Sequence, residues 1–115
     1  MRDERRQLLS ASSLIPASMV IGSLTVRLFV RESRTLKDKR QVVRSVLDRA
    51  RAAFNVSAAE VDTHDDVKLV TLGFAAVGFE VAAVQGVLQK VQEALRVHPV
   101  AEYLGGDLMV GGEVV

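Results

Sequence analysis

Five basic residues, Arg34, Lys37, Arg40, Arg44 and Arg51, are the part of this chain best suited to chemistry, and that chemistry is recognition of phosphate. Clustered Lys and Arg side chains bind a polyanion by displacing its counterions, and a helix N-terminus beside them adds unpaired N–H donors. The competing reading is a solvated helix face stitched by Arg44–Asp48 and Asp48–Arg51 pairs at i,i+4 and i,i+3. A charge run is usually such a face, but charge along this chain is uneven: between Arg27 and Arg51 nine basic residues face three acidic ones, a net charge of +6. From Ala52 to the end the count is three against nine, so the chain is strongly dipolar although its total is only +1.

The other chemical candidates are weaker. Glu60, Asp62, His64, Asp65 and Asp66 cluster as possible metal ligands, but without Cys, with one His and without calcium-loop spacing, a solvated acidic turn is the expectation. His98, beside Pro99 at a helix end, reads as a group that caps carbonyls or faces water rather than one that transfers protons. No catalytic, cofactor or metal site is assigned.

The elements that must position the basic residues are legible from periodicity. Thr35 is the expected N-cap of a helix running to Phe54, and Asp38 falls at N3, where a carboxylate suits the helix dipole. Leu36, Val43, Leu47, Ala50 and Phe54, widened by Val46 and Ala53, form its apolar stripe. Lys37, Arg40, Arg44 and Arg51 lie around its margins and outer face. Asn55 is the expected stop.

Before it, residues 20–30 alternate as a half-buried strand. Val20, Leu24, Val26, Leu28 and Val30 fall on one face, and Ser23, Thr25, Arg27 and Arg31 on the other. Ile21 and Phe29 also fall on the polar face, which is then too apolar for a bare solvated sheet and suits cover by a second subunit or a ligand. After the helix, 56–61 reads as a short edge strand, 62–66 as a turn, and 67–77 as a near-continuous apolar central strand. Val81, Val84, Leu88, Val91 and Leu95 mark a second helix over 79–97, ended by His98-Pro99. Residues 100–110 form a last strand with a bulge or turn at Gly105-Gly106, and 111–115 a loose tail.

The order β-α-β-β-α-β predicts an α+β, ferredoxin-like domain: a four-stranded antiparallel sheet with two helices on one face. At 115 residues and 49% hydrophobic content, one domain spanning 19–115 is expected. Residues 1–18, with three Arg followed by small residues broken by Ser and Pro16, read as a disordered extension or the product of an upstream start rather than a signal peptide. Met19 is the alternative start. The absence of Cys excludes disulfides and thiol catalysis and fits a reducing cytoplasm. No apolar run approaches the ~20 residues of a membrane span.

Three stretches carry a family resemblance: Thr35-Leu36-Lys37-Asp38-Lys39-Arg40 with Val42-Val43-Arg44-Ser45, then Phe54-Asn55-Val56-Ser57-Ala58-Ala59-Glu60-Val61, then Thr71-Leu72-Gly73. In this order and spacing they resemble the YlxP-like family of small bacterial proteins, over Met19 to about Val110. The resemblance implies a ferredoxin-like fold, a cytoplasmic bacterial protein of unknown function, and genes that lie beside those of translation initiation and ribosome maturation. It supplies no catalytic residues.

Related folds offer two alternatives, and neither suits this chain. RNA-recognition domains stack bases on sheet aromatics, but only Phe29 points to the open face with Phe74 ambiguous in phase, and aromatics are 4% of the chain. Val84-Gln85-Gly86-Val87 echoes the phosphate loop of acylphosphatases, but it falls inside the second helical pattern and lacks the gripping Arg. The expectation is a non-enzymatic accessory protein that contacts RNA or the ribosome through its first helix, as a homodimer, without membrane or small-molecule partner. The alternative is a homodimeric interaction module that binds an acidic protein with the same residues.

Overall fold

A computed structural model describes residues 19–111. Six elements run in the expected order: β1 (Val20–Phe29), α1 (Leu36–Ala53), β2 (Ser57–Glu60), β3 (Leu69–Gly78), α2 (Val81–Arg96) and β4 (Glu102–Gly111). The strands form one antiparallel sheet in the order β2-β3-β1-β4, with both helices on one face, which is the ferredoxin-like α+β arrangement.

Alternation decides which face is which. Leu24, Val26 and Leu28 of β1, opposite Phe74, Leu72 and Val70 of β3, point beneath the helices and are buried. From above, α1 closes this layer with Val43, Val46, Leu47 and Ala50, and α2 with Val84, Leu88, Val91 and Leu95. Each fully buried Leu or Val here contributes roughly 1.5–3 kcal/mol of transfer free energy. Phe74, ambiguous in the sequence, belongs to this core.

The helices approach the sheet closely at Gly22. A Cβ there would lie 2.6 Å from Val84 Cγ1 and 2.7 Å from Leu88 Cδ1, so glycine is what lets α2 sit down on β1.

Every strand differs from expectation at one end or both, β1 ending at Phe29 rather than Val30, and two of the starts differ for a shared reason. β3 starts at Leu69 rather than Val67, because the Asp66 carboxylate takes the N–H groups of Lys68 and Leu69 at 2.9 and 2.7 Å and holds the chain in a turn. β4 starts at Glu102 rather than Val100, because His98 Nδ1 takes the N–H groups of Val100 and Ala101 at 3.2 and 3.1 Å. β2 is shorter than 56–61, with four residues paired to β3. The second helix is likewise shorter than 79–97, starting after Glu80 and ending before Val97.

α1 stops at Phe54, whose backbone is extended while its N–H donates to the Ala50 carbonyl, so Asn55 is not the cap. In β4, Arg27 pairs with Gly105 and Leu28 with Tyr103, leaving Leu104 as the extra residue of a bulge. The bulge falls next to the Gly-Gly pair, as expected. Gly111 belongs to β4 rather than to a tail. The expectations for 1–18 and 112–115 fall outside the described residues.

Candidate nucleic-acid interface

The basic cluster begins in the loop ahead of α1, and that loop is pinned. Thr35 is the N-cap: its Oγ1 accepts the Asp38 N–H at 3.0 Å, and Asp38 Oδ2 in return accepts the Arg34 N–H at 3.1 Å. This reciprocal cap satisfies two backbone donors. The Arg34 N–H holds the Asp38 carboxyl below the usual carboxylate range, with Thr35 and the Arg34 charge adding to the effect. From the sheet side, the Lys68 ammonium donates to the Ser33 carbonyl at 2.7 Å and also to the Arg31 carbonyl. Arg34 is therefore displayed from a fixed backbone.

Lys37, Arg40 and Arg44 follow on successive turns of α1, all exposed, their Cα atoms spread over about 10 Å of helix axis. Among the described residues none of the three side chains enters an ion pair or hydrogen bond. The Arg44–Asp48 pair is not formed; Asp48 instead accepts from Arg51 at 3.3 Å.

Arg51 is placed differently from the rest. It lies a heptad beyond Arg44 on the same flank, but its Nη2 donates to the Ala58 carbonyl of β2 at 2.6 Å. It covers part of an edge strand, so its charge is held against the protein. The structure thus brings Arg34, Lys37, Arg40 and Arg44 together as an open ridge and gives Arg51 a structural duty beside it.

The remaining basic residues of the +6 segment are dispersed by the fold. Arg27 pairs with Asp107 at 3.6 Å on the open sheet face, and Arg31 pairs with Glu102 at 3.1 Å while resting 5.5 Å from the Phe29 ring centroid. Arg49 lies on another flank of α1, lining a cleft of about 210 Å³ between the C-terminal halves of the two helices.

Lys39 is the residue that charge counting misplaced. Its side chain is fully buried, and its ammonium donates to Glu60 Oε2 at 2.9 Å, to the Leu69 carbonyl at 3.2 Å and to the Thr63 carbonyl. All three of its donors are used. The signal was present in the sequence, because Lys39 stands in phase with Val43, Val46 and Ala50, inside the apolar stripe.

The acidic turn has structural partners of its own. Glu60 holds Lys39 and accepts from Thr63 Oγ1 at 2.8 Å, while Asp66 holds the start of β3. The Leu69 and Lys68 N–H groups keep the Asp66 carboxyl below its usual range. Among the described residues no three His, Asp or Glu side chains converge as a metal-binding group. Gly86, centre of the phosphate-loop echo, sits inside α2.

Residues 21–106 match a family model described as a protein of unknown function, DUF503. The chain belongs to this family. The match covers most of the chain, from β1 to the bulge of β4, so the ridge, the buried Lys39 and the pinned loop all lie on the DUF503 portion. No curated protein matches the chain. Among the described residues no helix is long and apolar enough to cross a membrane.

Proposed function

We propose that this DUF503 protein is a non-enzymatic, cytoplasmic RNA-associated factor that binds the phosphate backbone, on the ribosome, through Arg34, Lys37, Arg40 and Arg44. The observation that carries the reading is the unpaired ridge, four cations that begin at a helix N-terminus and follow one flank, while Arg27, Arg31 and Arg51 are paired, Lys39 is buried and Arg49 lies on another flank. Cations left free at about one per helical turn match a polyanion better than they match one another, since repulsion between them is relieved only by a negative partner. The YlxP-like resemblance, with its translation-linked gene setting, supports the ribosome as the source of the RNA. Sheet-face base stacking has no part in this reading, because Phe29 is the aromatic of that face and Arg31 lies against it.

The test is cosedimentation of the full chain with bacterial ribosomal subunits across a salt series. Arg40→Glu/Arg44→Glu is compared with Lys90→Glu/Arg96→Glu, which makes the same charge change on α2. Association that weakens with salt and is lost only in the first variant is the expected result. An absence of association at low salt overturns the ribosomal reading. Capture that survives nuclease identifies the partner as an acidic protein instead.

A further inference from the structure

The sheet face turned away from the helices is apolar where a solvated face would be polar. Register places Ile21 between Val77 and Gly111, and Ser23 between Ala75 and Met109, all on this face. Val77 is 63% exposed, Met109 70% and Ile21 39%, and Leu69 and Val61 are exposed on the same side. Val61 leans over Gly73, where an added Cβ would lie 3.6 Å from its Cγ1, and this flattens the surface further. A contiguous patch of this kind marks an interaction site.

We infer that this face packs against the same face of a second copy of the chain, forming a two-fold sheet-on-sheet dimer centred on Ile21, Ser23, Val77 and Met109. Three observations select a second copy. First, the charges of the face pair within it, Arg27 with Asp107 at 3.6 Å and Arg31 with Glu102 at 3.1 Å, so two identical faces meet without net repulsion. Second, the polar groups sit toward one end. Arg27, Asp107, Arg31 and Glu102 lie near the C-terminal end of β1, whereas its N-terminal half is bordered by Ala75, Val77 and Met109. A two-fold axis through the apolar end buries that end twice and leaves both polar ends at the rim, the composition of stable interfaces.

Third, the size fits. A sheet of this width and length presents on the order of 500 Å² in projection, and more with side-chain relief, against roughly 800 Å² per partner in a standard interface. Sheets packed this way lie about 10 Å apart. The helices are then the outer layers, and the two basic ridges stand back to back, roughly 30 Å apart at about 10 Å per layer. The dimer carries two separate ridges rather than one enlarged patch. The inference does not depend on what the ridge binds.

The test is sedimentation velocity of the full chain from about 1 to 100 µM, which brackets micromolar dissociation constants. The expected species is a dimer of the 12.5 kDa chain, converted to a folded monomer by Val77→Asp/Met109→Asp, with unchanged far-ultraviolet circular dichroism. A second variant keeps the test decisive if that one fails to fold. Ser23→Cys, in a chain without native cysteine, is expected to form a disulfide dimer under diamide, whereas Leu104→Cys at the β4 edge is not. A wild-type monomer throughout this range, a persistent dimer in the double variant, or crosslinking at Leu104 instead of Ser23 each overturns the assignment.

Discussion

Lys39 Nζ donates to Glu60 Oε2 at 2.9 Å, and through this pair the helix that carries the basic ridge is tied from inside to an edge strand of the sheet. The ammonium is fully buried and Glu60 nearly so. Removal of one partner strands the other in a site built for two charges. Lys39→Ala is expected to destabilise the fold by about 3 kcal/mol, the lower end of the range for broken buried pairs because Glu60 borders solvent. Lys39→Met/Glu60→Met, which removes both charges and keeps the volume, is expected to lose markedly less. Urea denaturation of the three proteins checks the ordering.

The ridge residues are expected to show themselves in the salt dependence of binding. Lys37→Gln, Arg40→Gln and Arg44→Gln should each flatten the slope of log affinity against log salt by about 0.7 for single-stranded RNA. Arg51→Gln should change the slope less, because its guanidinium is engaged with Asp48 and the Ala58 carbonyl. Fluorescence anisotropy with a short ribosomal RNA fragment measures both.

Two glycines are expected to respond in opposite directions. Gly22→Ala drives a methyl into Val84 and Leu88 and should cost about 1–3 kcal/mol by overpacking. Gly86→Ala, inside α2 with no heavy atom beyond its chain neighbours and its own helix backbone within 4 Å of the added Cβ, should stabilise by about 0.5–1 kcal/mol through helix propensity. Thermal melts of the pair give the signs.

Acid is expected to weaken the fold in two stages. Desolvation, assisted by the Arg49 charge, lowers the His98 pKa below its usual 6.5. The Nδ1 that receives the Val100 and Ala101 N–H groups must also stay unprotonated. A depressed folded-state pKa gives stability that is full above 6.5 and lost as pH falls through the folded value. Asp38 and Asp66 act likewise from 3.8 downward, as their backbone hydrogen bonds are lost on protonation. His98→Gln should remove the upper stage and leave the lower one, in denaturation midpoints followed across pH.

The layout of the fold was legible because alternation in β1 and the three-four spacing of both helices are set by burial, and burial follows side-chain polarity. The ends of strands were less so. Asp66 and His98 each take two backbone N–H groups that a strand would otherwise use, and no apolar periodicity reports such a choice. At the ridge, Arg34, Lys37, Arg40 and Arg44 lie where their spacing put them. Arg51 and Lys39 do not behave as their charges suggest, because position decides their roles: Arg51 stands opposite a free strand carbonyl, and Lys39 stands in the apolar stripe. A count of charges does not distinguish these positions, whereas the phase of Lys39 on the helix does.

The Arg51 clasp on the Ala58 carbonyl also makes the sheet one-sided. The outer margin of β2 is four residues long with an acceptor already occupied, whereas β4 runs for ten residues along the opposite margin. Open-ended polymerisation by strand addition requires two receptive margins, because each newly joined molecule must offer a fresh one to the next. A short margin with one acceptor already occupied is a poorer template for an added strand than the ten-residue margin of β4, so strand-to-strand joining is disfavoured at one side of the sheet and chain-like growth with it.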